Sequence, residues 1–129
     1  MTGQDIYELA SSFLYERDNE DIDSKEFSIG FLNILLQEAL PYENSIRLWS
    51  DQEELATAPM LESLADTIPY SDEITRAALP YGVASWFFQE AMDTFQAENY
   101  RNKFIAALSD AKKCKITNII DVYGGGNDA

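Results

Sequence analysis

The sequence contains no histidine and a single cysteine, Cys114. The first absence removes the commonest general base and the commonest imidazole metal ligand. The second excludes an internal disulfide and fits a reducing compartment. Bases are scarce as well. Nine Lys and Arg stand against 23 Asp and Glu, a net charge of −14 that sets the chain against nucleic-acid backbones and anionic membrane surfaces. No apolar run approaches the ~20 residues of a bilayer span, so no membrane is expected as a partner. The opening MTGQDIYELASS has no basic region and carries acids early, unlike a signal peptide.

What is present reads as one globular unit. The chain has 129 residues, 46% of them hydrophobic, which is enough for one domain with a buried core. Its charge is unevenly spread. Residues 1–26 hold eight acids and only Arg17 and Lys25 as bases, whereas 101–115 carries Arg101, Lys103, Lys112, Lys113 and Lys115 against Asp110. The simplest reading is a solvated acidic surface with cations toward a helix C-terminus.

Apolar periodicity predicts four helices. The first runs from about Thr2 to Tyr15, with Thr2 and Asp5 spaced as a capping pair and Ile6, Leu9, Ala10, Phe13 and Leu14 in one stripe. After the polar ERDNEDID, Asp23 or Ser24 caps a second helix bearing two stripes, Phe27, Phe31, Ile34 and Leu35 beside Ile29, Leu32, Leu36, Ala39 and Leu40. Such breadth implies partners on more than one side. Pro41 should end or kink this helix, with a short turn resuming from Tyr42 to Trp49. Residues 50–70, with Pro59 and Pro69, read as an irregular connection with a short extended piece near Leu64 to Ile68; connections of this length often form contact surfaces. A third helix starts at Ser71 and passes through a kink at Pro80 to Phe88, where Gly82 and Ala84 permit close approach by a neighbour. A fourth runs from about Thr94 to Lys113, with Ala97, Tyr100, Phe104, Ala107, Leu108 and Ala111 inward.

These elements predict a mainly all-α chain: a four-helix bundle domain over 1–115 with a long irregular connection at 50–70. A β-arm and flexible tail are expected over 116–129. Ile116, Ile119, Ile120, Val122 and Tyr123 lie in ITNIIDVY, rich in β-branched residues and followed by GGG. A strand without a partner in its own chain points to another chain, which makes these five residues the candidate partner-binding site.

Catalytic chemistry has little to draw on. Cys114 sits among Lys112, Lys113 and Lys115, which favour a thiolate, but no histidine exists to pair with it. Asp18, Glu20, Asp21 and Asp23 could hold a hard cation, yet they lack the glycine and terminal glutamate of a calcium-hand loop. The GGG at 124–126 follows an apolar segment but opens no phosphate-binding helix. Tyr81, Trp86, Phe87 and Phe88 fit a core better than a ligand pocket. No catalytic residue, metal site or cofactor is therefore expected.

The order DIYELASSFL, acidic loop, FLNILLQEAL, Pro-interrupted connection, IPYSDEITRAALPYGVASWFF, AENYRNKFIAAL and ITNIIDVYGGG resembles the head–tail adaptor (connector) proteins of tailed bacteriophages. The resemblance implies a structural virion protein, assembled in the host bacterial cytoplasm. It implies a ring of copies, commonly a dodecamer, under the portal protein, which extends the DNA channel and docks tail-side connector proteins. DNA then passes through without specific binding. The alternative consistent with the charge is an acidic DNA mimic or another small inhibitory binding protein. The acid clustering at 1–26 and the basic 101–115 segment count against an evenly acidic face.

Overall fold

Thr2 opens the first helix as the spacing predicts. Its side chain accepts from the Asp5 N–H at 3.2 Å, and Asp5 Oδ2 accepts from the Thr2 N–H at 3.1 Å, a reciprocal capping box. The structure, a computed structural model, describes the backbone of residues 1–13 and 22–127 and the side chains of 1–13 and 27–112. Within these the elements are α1 (Gly3–Ser12), α2 (Ile22–Trp49), the single turn α3 (Asp72–Thr75), α4 (Leu79–Glu90) and α5 (Thr94–Asn127). The fold is all-α, and the one β feature among the described residues is an isolated antiparallel bridge between Thr2 and Thr67. That bridge falls on the short extended piece expected near 64–68.

Three elements depart from the sequence reading. α2 continues through Pro41 to Trp49 without ending. Pro41 and Gln37, whose carbonyl loses its partner there, are both exposed, so water can satisfy the freed group. The expected third helix is divided into α3 and α4, and Pro80 lies in the first turn of α4, where a missing N–H costs nothing. The third departure is the strand-like arm. Ile116 to Tyr123 belong to α5, whose helical backbone reaches Asn127. Extending an established helix avoids the cost of nucleation, and Ile116, Ile119, Ile120 and Tyr123 follow the i, i+3, i+4, i+7 spacing that a helix supports. β-propensity there had no partner strand to act with.

α4 is the most enveloped helix. Leu79, Gly82, Val83, Ala84, Ser85 and Phe87 are all buried on it. α2 runs antiparallel to α4, with Phe31 stacked on Trp86 at 5.0 Å and Leu35 against Gly82. α5 folds back along α4 and lies parallel to α2, tied by Arg101 to Glu38 and by Phe104 against Gly82. The inward set expected on the last helix holds: Ala97, Phe104, Leu108 and Ala111 are buried, and Tyr100 and Ala107 pack on the core.

The second side of α2 is covered by the irregular connection, through polar clamps that periodicity did not reveal. The Asn33 amide bonds both the N–H and the carbonyl of Leu61, at 2.7 and 3.1 Å, as a paired strand would. Asn44 does the same to Leu55 at 2.8 and 3.0 Å. Arg47 donates to the carbonyls of Glu53 and Pro69 and to the Glu43 carboxylate. Asn33, Leu36, Leu40, Asn44 and Arg47 recur at steps of three or four, so one helical stripe supplies the partners that a structureless backbone needs. The start of α1 closes the other side, where Gly3 and Gln4 donate to the carbonyls of Asp66 and Leu64 and Ile68 donates to Met1.

Tyr70 adds a clamp that depends on its proton. Its hydroxyl donates to the Leu36 carbonyl at 2.6 Å, and burial first, then the Glu43 charge, push its pKa well above 10.0. Above pH 10 the unfolded chain releases a proton that the folded chain retains. Stability should therefore fall as pH rises past that point, by up to about 1.4 kcal/mol per pH unit, and be untouched below it. Tyr70→Phe should flatten this alkaline decline while costing about 1 kcal/mol at neutral pH for the lost hydrogen bond. Urea midpoints of both proteins between about pH 9 and 11 test this, and parallel curves would refute it.

Candidate partner-binding surfaces

Nine large apolar side chains among the described residues remain in water, Leu9, Met60 and Ile105 among them. Phe27 and Ile34 lie on the first half of α2, 56% and 48% exposed, and Met92 and Phe95 lie at the α4–α5 corner, 85% and 78% exposed. Leu48 and Trp49 close α2 and are exposed as well. Ile34 and Leu48 are 14 residues apart on one helix, or about 20 Å.

A groove of about 480 Å³ lies beside Ile34. Ile34, Trp86 and Ala97 form its apolar part, and Glu38, Glu98 and Arg101 its charged rim. The Arg101 guanidinium forks onto both Glu38 oxygens and lies 5.4 Å from the Phe104 ring centroid. The Glu38 hydrogen bonds hold it more firmly in its charged form. Glu98 has no ion-pair partner among the described residues. The rim therefore combines a neutralised pair with a carboxylate that has no ion-pair partner among the described residues.

The corner below the groove is built against local preference. Asp93 N–H donates to the Phe88 carbonyl at 2.9 Å and Met92 N–H to Gln89 at 3.0 Å, a Schellman closure of α4. Met92 occupies its left-handed position with φ 64°, where glycine is the usual residue. Asp93 then caps α5 by accepting from the Gln96 N–H at 3.1 Å. A long apolar side chain held at a strained and exposed position contributes nothing to the core. Met92→Gly should raise unfolding stability by about 1 kcal/mol, since it relieves the left-handed strain. A chemical melt measures this, and an unchanged or lower midpoint would show that Met92 packs usefully in the isolated chain.

A second recess of about 400 Å³ is lined by Phe13, Arg76, Pro80, Tyr81, Ala107 and Asp110, among others. Beside it Phe13, Tyr81, Tyr100 and Phe88 make a chain of ring contacts with centroids 5.2–6.0 Å apart, and Lys103 sits over Tyr81 and Tyr100. Phe87 is buried, whereas Trp86 is half-buried and stacked on Phe31. These aromatics behave as core and core edge.

Ile116, Ile119, Ile120, Val122 and Tyr123 lie on the C-terminal turns of α5, and their side chains fall outside the described residues, as does that of Cys114. Asp18, Glu20 and Asp21 also lie outside, and Asp23 is described only as backbone of α2. Among the described residues no cluster of three or more His, Cys, Asp or Glu is placed to hold a metal ion. No described helix is long and apolar enough to cross a membrane. No family model, curated protein or solved structure matches the chain.

Proposed function

We propose that the chain is a structural subunit that works by assembling, as a head–tail adaptor of a tailed bacteriophage virion. It forms a ring under the portal, extends the DNA channel and docks tail components. One observation carries this reading: on α2, Ile34 and the pair Leu48 and Trp49 stay exposed about 20 Å apart, and Met92 and Phe95 stay exposed at the α4–α5 corner. A subunit in a closed ring touches its neighbours through two different patches, and a monomer has no use for either. The net charge of −14 suits a conduit, because carboxylates facing a lumen repel the passing DNA backbone.

Electron microscopy of particles carrying a tagged copy tests the proposal. Ring density with the tag between head and tail is the expected result. Particles with the tag elsewhere, or without it, would reject the assignment. The acidic-mimic alternative predicts instead a salt-sensitive competition with duplex DNA for a nucleic-acid-binding enzyme.

A further inference from the structure

We propose that the groove between α2 and the α4–α5 hairpin receives the C-terminal turns of α5, Lys112 to Tyr123, from a second copy of this chain. This deepens the assembly reading and rests on it, naming which surface meets which.

The groove asks for an apolar partner with positive charge. Half-exposed Ile34 and part-buried Trp86 line it, and the Glu98 carboxylate on its rim has no ion-pair partner among the described residues. In a chain with nine bases, three of them, Lys112, Lys113 and Lys115, fall within four residues. They immediately precede Ile116, Ile119, Ile120 and Tyr123, the i, i+3, i+4, i+7 anchor pattern by which a helix fills a groove. Elsewhere the chain is dominated by acids, so this segment is the part of a second copy that the rim attracts rather than repels.

The same helix rules out an intramolecular contact. Arg101 lines the groove, and Lys112 and Tyr123 lie 11 and 22 residues further along α5. At 1.5 Å per residue they are about 16 and 33 Å from their own groove, on a helix that does not turn back. The contact is therefore head-to-tail, with tail on one copy and groove on the next. Such a contact uses two different patches and closes into a ring or continues as a filament. Met92, which lies in sequence between the groove residues Gln89 and Thr94, gains a purpose for its exposure at this junction.

Sedimentation velocity on the full-length chain tests the pairing. Wild type should form species larger than a monomer, weakened by salt. Ile34→Asp, at a half-exposed position, and Ile120→Asp should each remain folded by circular dichroism, with association at least about tenfold weaker. An equimolar mixture of the two restores one intact groove and one intact tail, and should give a one-to-one dimer and nothing larger. A mixture that stays monomeric, an Ile120→Asp protein that assembles as wild type, or a wild type monomeric at millimolar concentration would each overturn the proposal. If Ile120→Asp fails to fold, the triple variant Lys112→Glu, Lys113→Glu, Lys115→Glu takes its place in the mixture, with the same outcomes decisive. Failure of this idea is distinct from failure of the adaptor reading. Ile34→Asp entering particles at normal stoichiometry sinks the groove contact alone. Groove-dependent assembly of a protein that never enters particles sinks the adaptor reading alone.

Discussion

Glu43→Ala should lower unfolding stability by about 3 kcal/mol or more, among the largest losses any single polar side chain here would cause. Glu43 is 1% exposed and its carboxylate accepts from the Arg47 Nε at 2.8 Å, the Ser71 N–H at 2.8 Å and the Ser71 hydroxyl at 3.2 Å. Alanine leaves the Ser71 N–H with no acceptor and the Arg47 guanidinium with no counter-charge, while its other nitrogens stay committed to Glu53 and Pro69. Removing one partner of a buried pair costs more than the pair contributes, because the survivor keeps its desolvation penalty. Arg47 is 18% exposed, so water offsets part of the loss and the effect should fall in the lower part of the 3–5 kcal/mol range usual for such changes. Urea unfolding gives the magnitude and hydrogen exchange gives the place. Amides of 50–71 should lose protection first, since Glu43 and Arg47 hold that segment to α2. A loss below about 1 kcal/mol with unchanged exchange would mean that the Asn33, Asn44 and Tyr70 clamps hold the segment without the charge pair.

The same clamps show where sequence reasoning reached and where it stopped. The capping pair Thr2–Asp5, the inward face Phe104, Leu108 and Ala111, and the close approach at Gly82 were all legible, because each follows from spacing alone. Residues 50–70 were legible as irregular with a short extended piece near 64–68, and no further. Their order comes from side chains on another element reaching their backbone, and periodicity weighs apolar residues, not amides. A usable signal did exist: Asn33, Asn44 and Arg47 share one stripe of α2 with Leu36 and Leu40, and polar groups among such apolar neighbours require partners. The C-terminal segment failed for a different reason. ITNIIDVY satisfies β-propensity and helical spacing together, and the continuing helix decides between them. The exposed Met92 was invisible to pattern, because its left-handed backbone follows from the Schellman closure and not from its own identity.

The groove and the core are linked through one crossing point. Gly82 lies where α4 passes between α2 and α5, and Leu35 and Phe104, both fully buried, close on it from the two sides. Four residues along, Trp86 stacks on Phe31 and forms the groove floor. The groove width is therefore set by how closely the helices meet at 82.

Gly82→Val should cost about 3 kcal/mol and disable the groove at the same time. A Cβ at this position would stand 2.8 and 3.0 Å from the Leu35 methyls and 3.1 Å from the Phe104 ring, inside normal contact distance on both sides. Leu35 and Phe104 have no exposed side to move toward, so the helices must separate. Alanine suffers the first clash but gains about 1 kcal/mol of helix propensity over glycine, so Gly82→Ala should lose only about 1 kcal/mol net. Valine adds two branches to the same contacts and a restricted χ1, with less propensity to offset them. Separation would also pull Trp86 from Phe31, now parallel within 8° at 5.0 Å, and alter fluorescence from one of the two tryptophans. The other, Trp49, lies at the far end of α2 and serves as an internal reference. The expected result is a lower urea midpoint, a shifted Trp86 signal and self-association weakened together. A Gly82→Val protein as stable as wild type would show that α2 and α5 do not close on α4 at this residue, and the groove would then owe its shape to something other than the missing side chain.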